Sequence, residues 1–183
     1  NASASDKMVV VFGASGFLGS HVADALSGAG YQVRLFDHIS SPYQRIDQEM
    51  IVGDIMDIDQ VIEATRGAHA VYNFAAIADI DEAHNKPVAT ATINVLGNMH
   101  VLEAARIAGA NRFVFASSVY VYSESGSFYR ASKQAAERFT ETYHDRYGLD
   151  YTILRPGSLY GRRADLRNGI YRMLHEAIQK HSI

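Results

Sequence analysis

The strongest constraint on the fold of this chain is a glycine-rich turn that directly follows a short apolar run. Residues Met8 to Phe12 are all apolar, and Gly13, Gly16 and Gly19 come next with the spacing G-x-x-G-x-x-G. Between a buried strand and a helix, such glycines permit a tight turn and a close approach of backbone N–H groups to a pyrophosphate. The helix start adds partial positive charge that favours phosphate. The sequence therefore predicts a dinucleotide-binding loop, whose cofactor contacts would also include Ser15, Phe17 and Leu18.

Short apolar runs recur along the chain and alternate with helical stretches. The runs are Met8 to Phe12, Gln32 to Phe36, Glu49 to Val52, Ala70 to Ala76, Arg112 to Ser117 and Asp150 to Leu154. Most are apolar nearly throughout, as in strands that are buried on both faces of a parallel sheet. Glycines that could end helices in the left-handed conformation follow several helical stretches: Gly28 or Gly30, Gly67, Gly109 and Gly148. This order predicts an α/β fold with a doubly wound parallel sheet of the Rossmann type.

Composition narrows the class of protein further. A chain of 183 residues, 48% hydrophobic and 20% charged, is typical of one globular domain with a substantial core. It contains no cysteine, which excludes disulfides and thiolate metal sites and suits a reducing compartment, so we expect a cytoplasmic protein. The eight histidines are scattered without ligand spacing, and no metal site is expected.

Charge and hydropathy argue against two kinds of partner. The formal net charge is -3 and the basic residues form no stripe, so no nucleic-acid partner is expected. The longest apolar run is far shorter than the ~20 residues of a membrane helix, so no membrane span is expected. Residues 1–6 are small and polar, and we predict that they are a leader outside a domain covering residues 7–183.

Two acidic residues follow predicted strands where a carboxylate could recognise adenosine. Asp37 lies 18 residues beyond Gly19, and there it would accept hydrogen bonds from both ribose hydroxyls and repel a 2′-phosphate. The next residue is His38 rather than arginine, so the predicted cofactor is NAD rather than NADP. The alternative for Asp37 is a solvated loop acid. Asp54, followed by Ile55, would either meet an adenine amino group or cap the next helix.

A tyrosine and a lysine are spaced to share one helix face. Tyr129 and Lys133 are four residues apart, and an ammonium beside a phenol favours the phenolate. A positively charged nicotinamide would add to this effect and bring a pKa of ~10 toward the working pH. Ser118, at the end of a predicted strand, could hydrogen-bond the same substrate oxygen. The three are the candidate catalytic residues; the alternatives are a surface helix pair and a strand-end cap.

Further motifs follow one another in a recognisable order. They are Asn73-Phe74-Ala75-Ala76, Asn94-Val95-Leu96-Gly97, Ser117-Ser118, the Y-x-x-x-K of Tyr129 and Lys133, and Arg155-Pro156 through Tyr160-Gly161. Together with the glycine loop, Asp37 and Asp54, they resemble the extended short-chain dehydrogenase/reductase family. The resemblance is to its NAD-dependent epimerase/dehydratase branch, which acts on nucleotide sugars, and it covers nearly the whole chain from Lys7 onward.

The resemblance implies roles for residues that spacing alone does not assign. Phe74, Ala75 and Ala76 would line the cofactor channel, and Asn94 would hold the cofactor or the helix geometry nearby. The alternative for Asn94 is a mid-helix polar residue bonded to backbone. Further cofactor contacts are expected from His38, Ile55, Tyr129, Lys133 and Pro156, and substrate contacts from Ser118, Tyr129 and Ser158.

The chain departs from the family pattern in several places, one of them a mild change of the family's Val-Tyr-Gly to Val121-Tyr122-Ser123. Dehydratases carry an Asp-Glu pair after the strand-end hydroxyl, but Val119-Tyr120 follows Ser118, which disfavours a dehydratase and weakens a decarboxylase. Ser158 stands where the family has asparagine. Only five residues separate Ser123 from Tyr129, where relatives carry a longer substrate-covering loop, so we expect an open substrate site. The smaller C-terminal region that closes over the substrate in relatives is also expected to be missing.

These observations favour an NAD-dependent nucleotide-sugar epimerase that inverts C4 through a keto intermediate. The alternatives are an NAD-dependent dehydrogenase or reductase, a sugar-nucleotide dehydratase or decarboxylase, and a catalytically inactive NAD sensor. The retained Tyr129 and Lys133 argue against the sensor. A helix predicted from Thr92 to Ala108 has little polar face, so either the neighbouring elements cover it or a homodimer forms through the helices around residues 92–108 and 132–147.

Overall fold

The computed structural model describes residues 3–180 and contains a six-stranded parallel sheet. Its strands are β1 (Met8–Phe12), β2 (Gln32–Asp37), β3 (Gln48–Val52), β4 (Ala70–Asn73), β5 (Arg112–Ala116) and β6 (Tyr151–Leu154). They lie in the order β3-β2-β1-β4-β5-β6, and all five neighbouring pairs are parallel. This is the strand order of a doubly wound dinucleotide-binding sheet, and the predicted fold class is confirmed.

Helices connect the strands and cover both faces of the sheet. They are α1 (Phe17–Gly28), α2 (Ile58–Thr65), α3 (Ile80–Asn85), α4 (Pro87–Ala91), α5 (Asn98–Ile107), α6 (Ser127–Tyr147) and α7 (Gly169–Lys180). A π-helical segment, Thr92–Gly97, joins α4 to α5, and a short 3-10 turn, Val119–Tyr122, follows β5. Among residues 3–180, no helix combines the length and the apolar character that a bilayer crossing requires.

The core is built on the two faces of the central strand. Alternate side chains of β1 point to opposite faces, so Val10 and Phe12 pack with residues of α2, α5 and α6. Val9 and Val11 pack on the other face with residues of α1. Burial on both faces explains why β1 is apolar without alternation.

The structure confirms most of the predicted strand and helix limits. Gly30, Gly67, Gly109 and Gly148 all adopt positive φ values after helices, as predicted, while Gly28 is itself the last residue of α1. The predicted strand Ala70 to Ala76 is too long, because β4 ends at Asn73. There the side-chain oxygen of Asn73 accepts a hydrogen bond from the Ala75 N–H at 3.1 Å and turns the chain. The limits of β1 are as predicted, and each of the other four strands differs from the prediction by one residue at one end.

Two further regions differ in detail from their sequence-based description. The helix predicted from Thr92 to Ala108 begins as the π-helical segment and becomes α-helical only at Asn98. Part of the predicted leader is ordered, since Ala4–Asp6 form a 3-10 turn. The Ser5 carbonyl in this turn accepts a hydrogen bond from Gln32 Nε2 at 2.9 Å, which ties it to the start of β2.

Candidate active site

The carboxyl ends of four neighbouring strands bring the predicted site residues to one edge of the sheet. Gly13 follows β1, Asp37 ends β2, Phe74 follows β4, and Ser118 lies just beyond β5. In a doubly wound sheet, ligands bind outside the carboxyl ends of the strands, where the chain order reverses. Here that point lies between β1 and β4.

The glycine loop is packed too closely for side chains at two of its glycines. Gly13 has φ +72°, and a Cβ on it would lie 2.5 Å from the backbone nitrogen of Ala75. A Cβ on Gly19 would lie 2.2 Å from the Gly13 carbonyl oxygen. Helix α1 then starts at Phe17 with Gly16 as its N-cap, and no side chain caps the first turn. Its first amides are therefore available to an anion.

Asp37 is buried against this loop. It is 8% exposed, and its Oδ2 accepts a hydrogen bond from the Ser15 N–H at 2.9 Å. His38 Nδ1 lies 2.8 Å from Oδ1, while Ser15 Oγ donates to the Ile39 carbonyl at 2.8 Å. Each carboxylate oxygen can accept more than one hydrogen bond, so these contacts leave capacity for ribose hydroxyls.

Asp54 and Ile55 have different environments. Asp54 is exposed and accepts a hydrogen bond from the Met56 N–H at 2.9 Å, which forms a local turn. The alternative interpretation of Asp54 as a helix cap is wrong, because Asp57 caps α2 by accepting from the N–H groups of Asp59 and Gln60. Ile55 is buried and packs against Gly97.

A buried asparagine, Asn94, holds the backbone after β4. Asn94, in the π-helical segment, accepts a hydrogen bond from the Ile77 N–H at 2.8 Å and donates to its carbonyl at 3.1 Å. It also donates to Ser132 Oγ at 3.0 Å. Asn94 is thus bonded to backbone, as its alternative interpretation predicts, and it also links the segment after β4 to α6. Phe74, Ala75 and Ala76 are partly buried in that segment, beside Gly13.

Three consecutive residues at the end of β5 interact with three residues spaced one turn apart on α6. Lys133 Nζ donates to the Ala116 carbonyl at 2.7 Å, and Ser117 Oγ donates to Glu137 Oε1 at 2.5 Å. Ser118 Oγ accepts a hydrogen bond from the Tyr120 N–H at 3.3 Å, and Ser118 lies close enough to the Tyr129 phenol to influence its pKa. The structure therefore brings the predicted Ser118, Tyr129 and Lys133 together on one face of α6.

The pKa of Tyr129 is shifted in the direction opposite to the sequence-based expectation, and the pKa of Lys133 is shifted as well. Burial raises the pKa of Tyr129, the nearby Ser118 hydroxyl acts in the opposite direction, and nearby Tyr120 raises the pKa further. The net shift of the Tyr129 pKa is upward, opposite to the expected lowering; the Lys133 ammonium donates to the Ala116 carbonyl and lies 5.7 Å from the Tyr129 ring centroid. Burial lowers the pKa of Lys133 to about 8, while the charge of Glu137 acts to raise it.

The short connection before Tyr129 is a tight, hydrogen-bonded turn. Ser125 N–H donates to Ser123 Oγ at 3.0 Å, and Gly126, at φ +106°, caps α6. A Cβ on Gly126 would lie 3.0 Å from the Arg130 Cβ. Tyr129 is nevertheless only 8% exposed, so the phenol is more sheltered than the shortness of the loop predicts.

Two predicted site residues, Pro156 and Ser158, follow β6, and their cofactor and substrate contacts stay predictions. Pro156 is partly buried, and its carbonyl accepts a hydrogen bond from the Val119 N–H at 3.1 Å. Ser158 is exposed. Among residues 3–180, no group of three or more His, Asp or Glu side chains is placed to hold a metal ion.

Sequence reasoning did not identify the ion pair of Glu137 with Arg155. Arg155 donates from Nε and Nη2 to the two carboxylate oxygens at 2.9 and 2.7 Å, and from Nη1 to the Tyr122 hydroxyl at 2.6 Å. Burial alone would raise the pKa of Glu137, but the hydrogen bonds from Arg155 and Ser117 hold it below its ordinary value. The sequence signal for Glu137 was its position four residues after Lys133, which places the two side chains on the same face of a helix.

A cationic cavity beside α1 was also missed. It has a volume of about 540 Å³ and is lined by His21, Tyr43, Arg162 and Arg163. Arg163 Nη2 donates to Asp24 Oδ2 at 2.6 Å, and its guanidinium stacks 4.5 Å from the Tyr43 ring centroid. The segment after β6 is thereby fastened to α1 and to the loop after β2.

Known proteins share this sequence pattern and fold. A UDP-glucose 4-epimerase of Mycolicibacterium smegmatis is 30% identical over 194 residues, covering 92% of this chain and 62% of that protein. A 3 beta-hydroxysteroid dehydrogenase/Delta 5-->4-isomerase of Mycobacterium tuberculosis is 29% identical over 196 residues, covering 94% and 51%. The crystal structure of a Thermus thermophilus UDP-glucose 4-epimerase in complex with NAD has a TM-score of 0.86 and 30% identity, covering 95% of this chain and 63% of that one.

These similarities define the family, although the chain spans less than two thirds of the length of each of these relatives. The match to the family itself extends over residues 9–183, from β1 to the last residue of the sequence. The chain belongs to the NAD dependent epimerase/dehydratase family.

Proposed function

We propose that residues 7–183 form the NAD-binding domain of a nucleotide-sugar epimerase that inverts C4 of a UDP-sugar through a keto intermediate. The observation that carries the proposal is the grouping of Ser118, Tyr129 and Lys133 at the carboxyl end of β5, beside the glycine loop. The resemblance to UDP-glucose 4-epimerases supports the substrate class.

The residues at the sheet edge fit NAD. Gly13 and Gly19 permit the tightly packed loop that a pyrophosphate-binding turn requires, because a Cβ at either position would clash with backbone. The uncapped first turn of α1 suits the phosphates, and the buried carboxylate of Asp37 suits two ribose hydroxyls but repels a 2′-phosphate. When bound, NAD provides a reversible hydride acceptor, so that a sugar carbon can be oxidised and then reduced from its other face.

The proton chemistry belongs to the chain itself. Tyr129 would accept the proton of the sugar hydroxyl as a general base and return it as a general acid. Ser118 would hydrogen-bond the same oxygen, and the Lys133 ammonium would stabilise negative charge on the phenolate. Because burial raises the pKa of Tyr129, this positive charge is needed to make the phenol a useful base near neutral pH.

The similarity to a 3 beta-hydroxysteroid dehydrogenase favours a second candidate, an NAD-dependent dehydrogenase with the same three catalytic residues. The two reactions differ in their cofactor balance. An epimerase regenerates NAD within each turnover, whereas a dehydrogenase releases one NADH for each product. A dehydratase or decarboxylase has less support, because Val119 and Tyr120 supply no acid after Ser118.

The deciding experiment incubates the full-length protein with NAD and a panel of UDP-sugars and steroid alcohols. Products are identified by NMR and mass spectrometry while absorbance follows NADH. The proposal expects C4 stereoisomers of equal mass without accumulation of NADH. Stoichiometric NADH would establish the dehydrogenase instead, and loss of one water or one carbon dioxide would establish a dehydratase or a decarboxylase.

We further propose that two copies of the chain associate through α5 and α6. These helices pack against each other and leave Ile107, Phe139 and Tyr147 exposed, as is Leu96 in the π-helical segment before α5. Tyr143 donates to Glu103 at 3.1 Å, which joins the two helices into one surface. Pairing of two such surfaces would bury the exposed apolar groups, as in a helix bundle.

A further inference from the structure

A buried carboxylate lies one helical turn beyond Lys133 and takes no part in the proton transfer described above. The side chain of Glu137 is 5% exposed, and both of its oxygens are engaged by Arg155. Ser117 adds a third hydrogen bond at 2.5 Å. A charge removed this far from water must be compensated, and these contacts compensate it.

The Glu137 contacts are part of the arrangement that positions the catalytic pair. Ser117 lies between Ala116, which accepts from Lys133, and Ser118, which lies close enough to the Tyr129 phenol to influence its pKa. The bond from Ser117 to Glu137 therefore fixes the strand end at the point where both catalytic contacts are made. Loss of the Glu137 carboxylate would remove this restraint next to the carbonyl that Lys133 holds.

Glu137 also acts on Lys133 through its charge. Lys133 is 4% exposed, so its ammonium has lost most of its hydration, and burial favours the neutral amine. The carboxylate opposes this effect. Arg155 would counteract the carboxylate, but its side chain is 34% exposed and is therefore more strongly screened by water.

The surroundings of Lys133 contain further groups that can titrate or carry charge. Its Nζ lies 5.0 Å from the Phe115 ring centroid and 5.7 Å from that of Tyr129. The titratable or charged groups on this side come from three elements: Tyr129 and Glu137 on α6, Tyr120 and Tyr122 in the 3-10 turn, and Arg155 after β6. Of these, Glu137 is the acid that is ionised at neutral pH.

We propose that Glu137 is a positioning residue: anchored by Arg155 and Ser117, it keeps Lys133 charged beside Tyr129 and so sets the upper pH limit of the reaction. The first part of the proposal concerns this chain alone. The part about the reaction rests on the proposed function.

The direct test is the titration of Lys133 by NMR. The chain has four lysines, Lys7, Lys86, Lys133 and Lys180, so ε-13C-lysine labelling gives few signals, and Lys133→Met assigns the relevant one. We expect a midpoint of about 8 in the unchanged chain. Glu137→Gln should lower it by about one pH unit, while Glu137→Asp, which retains the charge, should restore most of the difference.

A matched control lies one turn further along α6. Glu141 pairs with Arg138 at 2.6 Å on the protein surface, and Glu141→Gln should leave the Lys133 midpoint unchanged. If Glu137→Gln alone fails to fold, the double variant Glu137→Gln/Arg155→Gln leaves no unpaired charge and should lower the midpoint in the same direction. An unaltered midpoint in a folded Glu137 variant would overturn the proposal.

The second test measures the pH dependence of kcat with a UDP-sugar. The high-pH limb, where Lys133 loses its proton, should move to lower pH in Glu137→Gln by the same amount as the NMR midpoint. A uniform loss of kcat at every pH would show that Glu137 has a merely structural role. This result would overturn the part of the proposal that concerns the reaction. If the unchanged protein has no epimerase activity, the proposed function fails, while the NMR result still decides the role of Glu137.

Discussion

The backbone N–H of Ser15 donates a hydrogen bond to Oδ2 of Asp37 at 2.9 Å, which joins the glycine loop to the end of β2. The phosphate-binding loop and the predicted ribose acceptor are therefore mechanically coupled. A change at Asp37 acts on the recognition of the ribose and also on the shape of the loop.

The first prediction separates these two effects at Asp37. Asp37→Asn keeps an oxygen acceptor for Ser15 but removes the charge, so NAD affinity should fall about 10-fold and the preference over NADP should shrink. Asp37→Ala removes both and should weaken NAD binding further. Calorimetric titration with NAD and NADP measures both quantities. Asp47→Ala, an exposed acid paired with Arg45, is the control, and full cofactor preference in Asp37→Ala would contradict the assignment.

The second prediction concerns the phenolic oxygen of Tyr129. Tyr129→Phe should leave the fold and NAD affinity nearly unchanged but reduce turnover about 100-fold to 10,000-fold, because only the group that exchanges the proton is lost. Steady-state rates with a UDP-sugar and circular dichroism provide the comparison. Tyr151→Phe, at the opposite end of the sheet, should retain normal turnover. Unchanged rates in Tyr129→Phe would exclude the proposed base.

The third prediction tests the packing of the glycine loop. Gly13→Ala combines a left-handed backbone with a Cβ 2.5 Å from the Ala75 nitrogen, so it should lower the free energy of unfolding by at least about 3 kcal/mol. Gly109 also has a left-handed backbone, but a Cβ on it would meet no atom within 4 Å. Gly109→Ala should therefore lower the free energy of unfolding by only about 1–2 kcal/mol. Urea denaturation of both variants measures the difference. Equal losses of unfolding free energy in the two variants would show that the backbone around Gly13 can move away from an added Cβ at no energetic cost.

The local sequence predicted the loop, the strand ends and the shared face of Tyr129 and Lys133, because each depends on short spacings. It could not predict the partner of Glu137, since Arg155 comes from a different element 18 residues away and meets it only in the folded chain. The end of β4 was missed for a different reason, since the interaction that ends it is local. Residues 74–76 remain apolar, but the Asn73 side chain captures the Ala75 N–H and ends the strand.

The fourth prediction tests association through α5 and α6. Phe139 is exposed on α6, and Phe139→Asp would place a charge inside the proposed interface while costing the isolated chain little stability. We expect light scattering after size-exclusion chromatography to give a dimer for the unchanged protein and a monomer for the variant. Ile46→Asp, on the exposed loop after β2, should remain dimeric. A monomeric unchanged protein would contradict the proposed surface.

The last prediction follows from the burial of Lys133. Burial lowers the pKa of Lys133 to about 8 in the folded chain, whereas a lysine in the unfolded chain has a pKa of about 10.4. Between these values the unfolded state binds more protons than the native state, so the free energy of unfolding should rise with pH. Relative to Lys133→Met, which has no proton to lose, the unchanged chain should gain about 2 kcal/mol from about pH 7.5 to about pH 10. Urea unfolding of both proteins across this range measures the gain, and parallel stability curves would show that Lys133 keeps an ordinary pKa despite its burial.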